Sequence, residues 1–103
     1  MMLPDQRREP RRRCDFDVQI RHGERAHRGR AFDLSRTGIS IRISAYASLN
    51  KGDEIDIHAP ELGWLQGRIV WRSPQRIGVI FKRSTNTTAK VESFFRSRAL
   101  ARA

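Results

Sequence analysis

The sequence predicts an all-β domain of six short antiparallel strands closed by one C-terminal helix. Three observations carry this reading. Apolar residues recur at every second position through most of the chain, turn signals interrupt them at close spacing, and a helical period appears only in the tail. With 103 residues the chain suffices for one domain and is too short for two.

Residues 1–13 read as a flexible arm. Five of the seven residues from Arg7 to Arg13 are arginine, and Pro4 and Pro10 oppose a helix. Such a segment has no apolar surface to bury, so it is expected to stay mobile until a ligand orders it. The folded domain then occupies residues 14–103. Cys14, Phe16, Val18 and Ile20 alternate with Asp15, Asp17 and Gln19, which marks a strand with one buried face. His22-Gly23-Glu24 is a turn, and residues 26–34 form a weaker second strand ending near Phe32 and Leu34.

After a polar turn from Ser35 to Gly38, Ile39, Ile41 and Ile43 alternate with Ser40 and Arg42 as the third strand. Asn50-Lys51-Gly52-Asp53 turns the chain into Ile55-Asp56-Ile57-His58, and Pro60 to Gly63 breaks it again. Residues 64–72 form the fifth and longest strand, with Leu65, Ile69 and Trp71 expected on one face. Ser73 to Arg76 leads into the sixth, Ile77-Gly78-Val79-Ile80-Phe81. Six short strands joined by turns argue for an antiparallel barrel or sandwich. In the tail, Val91, Phe94, Phe95 and Ala99 follow helical spacing over about 86–100, with Asn86, Thr87 and Thr88 as candidate caps. Phe95 is expected to pack this helix against the barrel.

The charge balance points to an anionic partner: 21 Lys+Arg oppose 11 Asp+Glu, a net charge of +10. Eighteen of the basic residues are arginine, whose planar fork suits phosphate and guanine edges in a way lysine does not. A genome-wide preference for arginine codons explains that bias equally well. The single cysteine, Cys14, excludes an internal disulfide and a thiol metal cluster and reads as a small core residue. The N-terminal residues lack the apolar stretch of a secretory signal, and no apolar run approaches the ~20 residues of a membrane helix. The expected location is the cytoplasm, without membrane insertion.

Signals of catalysis are absent. There is no Gly-rich phosphate loop, no HExxH and no CxxC, and His22, His27 and His58 are scattered. No catalytic residue, metal site or cofactor is expected. Two features remain: Arg7-Arg8-Glu9-Pro10-Arg11, which contains RxxxR, and Asp33-Leu34-Ser35-Arg36-Thr37-Gly38, which reads DxSxxG in the turn between the second and third strands. Each alone suits a bland reading, a basic tail and a hairpin turn with local Asp and Ser hydrogen bonds.

Together the two motifs resemble the PilZ domain, a bacterial receptor module for cyclic di-GMP. The resemblance extends to Pro10 before the second arginine, to Gly67-Arg68-Ile69-Val70-Trp71-Arg72, to Ile77-Gly78-Val79-Ile80-Phe81 and to a closing helix, and so covers about 6–100. Thr37 departs from the second glycine that many members carry, at a position the motif leaves free. The resemblance implies a six-stranded antiparallel PilZ-type β-barrel that binds cyclic di-GMP and passes the signal to an unidentified downstream protein. It implies a ligand site of Arg7, Arg8, Arg11, Asp33, Ser35 and Gly38, with Trp71 as a further lining residue and Arg12 and Arg13 as electrostatic support. In that site the arginines meet phosphate or stack on a base, Asp33 accepts from a guanine edge, Ser35 bonds polar groups of the ligand, and Gly38 lets the backbone turn or approach closely. The alternative is a small basic barrel that binds RNA or single-stranded DNA through Trp64 and Trp71.

Overall fold

The computed structural model describes residues 11–60 and 62–102. Its strands are β1 (Arg12–His22), β2 (Arg25–Leu34), β3 (Gly38–Arg42), β4 (Glu54–Ala59), β5 (Gly63–Ser73) and β6 (Arg76–Phe81), followed by the helix α1 (Thr85–Arg102). They close into an antiparallel barrel in the order β1-β2-β3-β6-β5-β4, with β4 returning to β1. The β-branched residues that alternate along each strand fill its interior, among them Val18, Ile20, Ile39, Ile41, Ile57, Ile69 and Ile77, all 2% exposed or less.

β3 pairs with β6 instead of its successor β4, so residues 43–53 must travel between strands that are not neighbours. This segment is held by burial of Ile43 and Leu49, by backbone hydrogen bonds such as that from the Gly52 amide to the Ile69 carbonyl, and by the side chain of Arg72. The Arg72 guanidinium donates to the carbonyls of Leu49 (2.8 Å), Ala47 (3.2 Å), Ala45 (3.2 Å) and Pro74 (3.3 Å). Carbonyls that no strand satisfies thus find a donor.

Two expectations require correction. β1 begins at Arg12, so Arg12 and Arg13, expected in the arm, are strand residues paired with Leu34 and Asp33; backbone pairing there extends beyond the apolar alternation that signals a strand in sequence. The helix is capped by Ser84, whose Oγ accepts from the Thr87 amide at 3.0 Å, two residues before the first of the expected caps. As expected, Phe95 packs partly buried against the core, its ring beneath Arg12; the anchor beside it is Phe94, 2% exposed and tilted against Phe16 at 5.0 Å, together with Val91.

A third expectation, the facing of Trp71, bears on the site. Trp71 does not share the core face of Leu65 and Ile69 but is 39% exposed. The register of β5 against β6 slips between Ile69 and Trp71, so that Trp71 faces Gly78 where strict alternation would have turned it inward. One extra residue in a strand inverts the facing of everything beyond it.

Candidate functional site

The slip in β5 is one of three irregularities at the same level of the barrel. β1 slips against β2 between Arg13 and Phe16, and β2 against β3 between Ala31 and Asp33. Beyond each slip the strands are in register again, and one continuous row crosses five of them: Arg13 on β1, Asp33 on β2, Ser40 on β3, Gly78 on β6 and Trp71 on β5. Bulges re-aim side chains and concentrate beside functional sites. Here they turn Asp33 and Trp71 to the outer surface while Ala31, Leu34 and Ile69 remain fully buried.

Arg11 closes over this row. One of its terminal nitrogens lies 2.7 Å from Asp33 Oδ1 and 3.2 Å from Ser40 Oγ. The second arginine of RxxxR and the aspartate of DxSxxG, separated by 22 positions in the chain, are therefore a contacting pair. Ser40 faces outward yet is only 2% exposed. Gly78 leaves room for the Trp71 indole, which occupies the space a Cβ at Gly78 would need.

The rest of DxSxxG shapes the turn. Ser35 is 2% exposed, and its Oγ accepts from the amides of Thr37 and Gly38, both at 3.2 Å. Gly38 is required by close approach, because a Cβ there would run into the carbonyl oxygen of Val79. The Phe81 amide also donates to the Thr37 carbonyl at 2.8 Å, fastening the turn to β6. Arg36 meets Glu92 of α1 at 3.2 Å, tying the same turn to the helix. Arg7 and Arg8 lie outside the described residues.

Below the row opens a surface pocket of about 740 Å³, lined by Arg11, Arg13, Arg30, Asp33, Arg42 and Arg76 together with Cys14, Asp15 and Phe32. Arg30 donates to Asp15 at 2.6 Å and to Asp17 at 2.7 Å. These hydrogen bonds, Asp15's first, raise its pKa above the already high guanidinium value, so it is a permanent cation. Arg42 and Arg76 lie 5.7 and 5.3 Å from the centroid of the Phe32 ring. Among the described residues Arg13, Arg42 and Arg76 form no ion pair. The wall thus offers fixed cations, a carboxylate and an exposed indole, the inventory needed for phosphate, a donor-bearing base edge and a base face.

Sequence reasoning missed Arg30, Phe32, Ser40, Arg42 and Arg76. The outward phase of Ser40 and Arg42 was available from the alternation with Ile39, Ile41 and Ile43. Their meeting with Arg76 depends on the β3–β6 pairing, which no local pattern announces. The single-strand nucleic-acid alternative finds no support in this arrangement. Trp64 and Trp71 stand seven residues apart on β5 and do not line a common pocket, whereas such binders place aromatic rings in series.

Fold and pocket together define a small closed barrel with an arginine-rich outer wall suited to an anionic ligand. The chain belongs to the PilZ domain family, whose model matches residues 5–96. Solved structures agree on the fold. The PilZ domain of YcgR from Escherichia coli, determined with c-di-GMP, is similar with a TM-score of 0.74 at 18% identity, over 94% of this chain and 95% of that one. The PilZ domain of CeSA from a cellulose-synthesizing bacterium gives 0.68 at 20% identity, over 89% and 98%. The Bacillus subtilis inhibitor of motility (MotI/DgrA) gives 0.67 at 16% identity, over 91% of this chain and 51% of that one. No curated protein sequence matches. Among the described residues no helix is long and apolar enough to cross a membrane.

Proposed function

We propose that this domain is a non-catalytic cytoplasmic receptor that binds cyclic di-GMP on the Arg11–Asp33–Trp71 wall and relays its presence to a protein partner. The observation that carries this reading is the row itself: Arg11 and Asp33, one from each motif, touch each other in a row that ends across β3 and β6 at the outward Trp71. Membership of the family and the c-di-GMP named in the YcgR structure supply the identity of the ligand.

In the structure Arg11 and Asp33 satisfy one another. Binding exchanges these partners. Asp33 accepts from the N1–H and N2–H₂ donors of a guanine, and Arg11 turns its fork to phosphate or to guanine O6 and N7. Arg7 and Arg8, preceding Arg11 in the same motif, add further cationic contacts. Trp71 supplies a stacking plane, and Arg13, Arg42 and Arg76 supply the long-range attraction for a dianion. Ser35 and Gly38 act by holding the turn that presents Asp33.

Isothermal calorimetry with cyclic di-GMP tests the assignment. Arg11→Ala is expected to weaken binding at least about tenfold, because a charged hydrogen bond contributes about 1.5–3 kcal/mol. The fold should be retained, since an exposed ion pair contributes at most about 1 kcal/mol to stability. Equal affinity for the variant and the parent overturns the site.

A further inference from the structure

A second basic surface lies on the outside of β4, β5 and the end of β6. Two adjoining depressions, of about 530 and 560 Å³, share Arg21, Asp56, Gln66 and Lys82 and form one groove. Neither shares a lining residue with the pocket around Arg11 and Asp33.

Trp64 anchors this groove. It is 40% exposed but firmly held. The Arg21 guanidinium lies 4.7 Å from its ring centroid, the His58 ring packs at 4.8 Å, and Lys90 Nζ donates to its carbonyl at 2.8 Å. Farther along, Ile80 is 52% exposed and registers across from Arg68. A tryptophan already fixed in place loses little freedom on contact, and Trp with Arg is the composition of interface hot spots.

The charge around this anchor is unbalanced. Arg21, Arg68, Lys82, Arg83 and Lys90 line the groove, and among the described residues none of them forms an ion pair. Glu54 and Asp56 are the carboxylates beside them. We propose that this groove is the docking surface for the protein partner, and that its occupant is an acidic segment carrying an apolar side chain that packs on Trp64. Carboxylates of the segment meet the unpaired cations, while Glu54 and Asp56 fix its register by accepting from its backbone or basic groups. A nucleic-acid strand fits less well, since it would bring phosphates past both carboxylates and find one ring where a strand needs several in series. Because groove and pocket share no residue, nucleotide and partner can be held together. The proposal goes beyond the nucleotide reading and does not need it.

The probe is a short synthetic peptide of Glu, Asp and Leu, titrated into the isotope-labelled full chain by NMR without nucleotide. Saturable shifts are expected at the Trp64 indole and at the amides of Gln66, Arg68 and Lys82. The same peptide with Gln and Asn in place of its acids should not bind. The double variant Arg21→Glu, Lys82→Glu should bind at least about tenfold more weakly, as expected for losing two charge contacts. Both side chains are exposed, so the fold should survive; if its spectrum shows otherwise, Arg68→Glu is read in its place. Shifts centred on Arg13, Arg42 and Arg76, undiminished binding by these variants, or tighter binding of oligothymidylate in the same groove each overturn the proposal. No nucleotide enters this titration, so its failure is distinct from failure of the cyclic di-GMP assignment.

Discussion

In the pocket over β1, β2, β3 and β6 four of the five lining arginines are already engaged: Arg11 with Asp33, Arg30 with Asp15 and Asp17, Arg42 and Arg76 against Phe32. On the wall of β4 and β5, Arg21 and Lys90 are held against Trp64, while among the described residues Arg68, Lys82 and Arg83 form no ion pair. The first wall has fixed geometry, which a rigid ligand of defined hydrogen-bond pattern rewards. The second has adaptable charge around a fixed ring, which suits a chain segment that brings its own shape. One barrel can therefore carry two anionic partners of different kinds, distinguished by how far its cations are positioned in advance.

The largest expected effect is on base selectivity of the first wall. Cyclic di-AMP carries the same two phosphates, so attraction to phosphate cannot discriminate it. Adenine lacks the N2 amine and reverses the donor–acceptor sense at position 6, leaving Asp33 or an arginine unpaired. A site built to hydrogen-bond a group rejects the analogue by up to about 10⁴-fold. Competition titrations at one salt concentration should show this preference and should show it shrinking in Asp33→Ala. Comparable affinities in the parent protein would mean that the wall reads phosphate alone.

A smaller effect separates the two glycines of the row and its turn. Gly78→Ala places a methyl where the Trp71 indole lies, and a side chain can move aside. The fold should persist while cyclic di-GMP binding weakens about fivefold or more, since a base–aromatic stack contributes about 1–3 kcal/mol. Gly38→Ala instead meets the Val79 carbonyl, which cannot yield without shifting β6. That variant should lower the melting temperature, at a cost of about 1–3 kcal/mol. Equal thermal stability of the two variants would remove the distinction between a glycine kept for the site and one kept for the fold.

The smallest effect is expected from the second wall. Arg68→Glu should change nucleotide affinity by about twofold or less at physiological salt, because Arg68 does not line the Arg11–Asp33 pocket and salt screens the field of an exposed charge. A larger loss would show that the walls are not independent.

Most of the barrel was legible in the sequence because alternation is local. Ile39, Ile41 and Ile43 reveal both a strand and its buried face, and the six strands fall where the alternation lies. The site was legible only in part. DxSxxG and RxxxR mark Asp33 and Arg11, but the contact between them spans 22 positions. Alternation put Trp71 on the face of Leu65 and Ile69, while the family resemblance alone named it as a lining residue, because one inserted residue in β5 reverses its facing and has no signature beyond the strand that β5 pairs with. Arg42 and Arg76 meet only because β3 chooses β6 over β4, a decision set by barrel closure. Local periodicity predicts which way a residue points, while pairing decides which residues share a wall.

The independence of the two walls can be read in one spectrum. Titrating the isotope-labelled chain with cyclic di-GMP should shift the amides of Asp33, Ser40 and Gly78 and the indole of Trp71, while the indole of Trp64 and the amides of Gln66 and Lys82 stay in place. Shifts concentrated at Trp64, Gln66 and Lys82, with the Asp33–Ser40–Gly78–Trp71 row unmoved, would contradict the assignment of the nucleotide to the bulged wall.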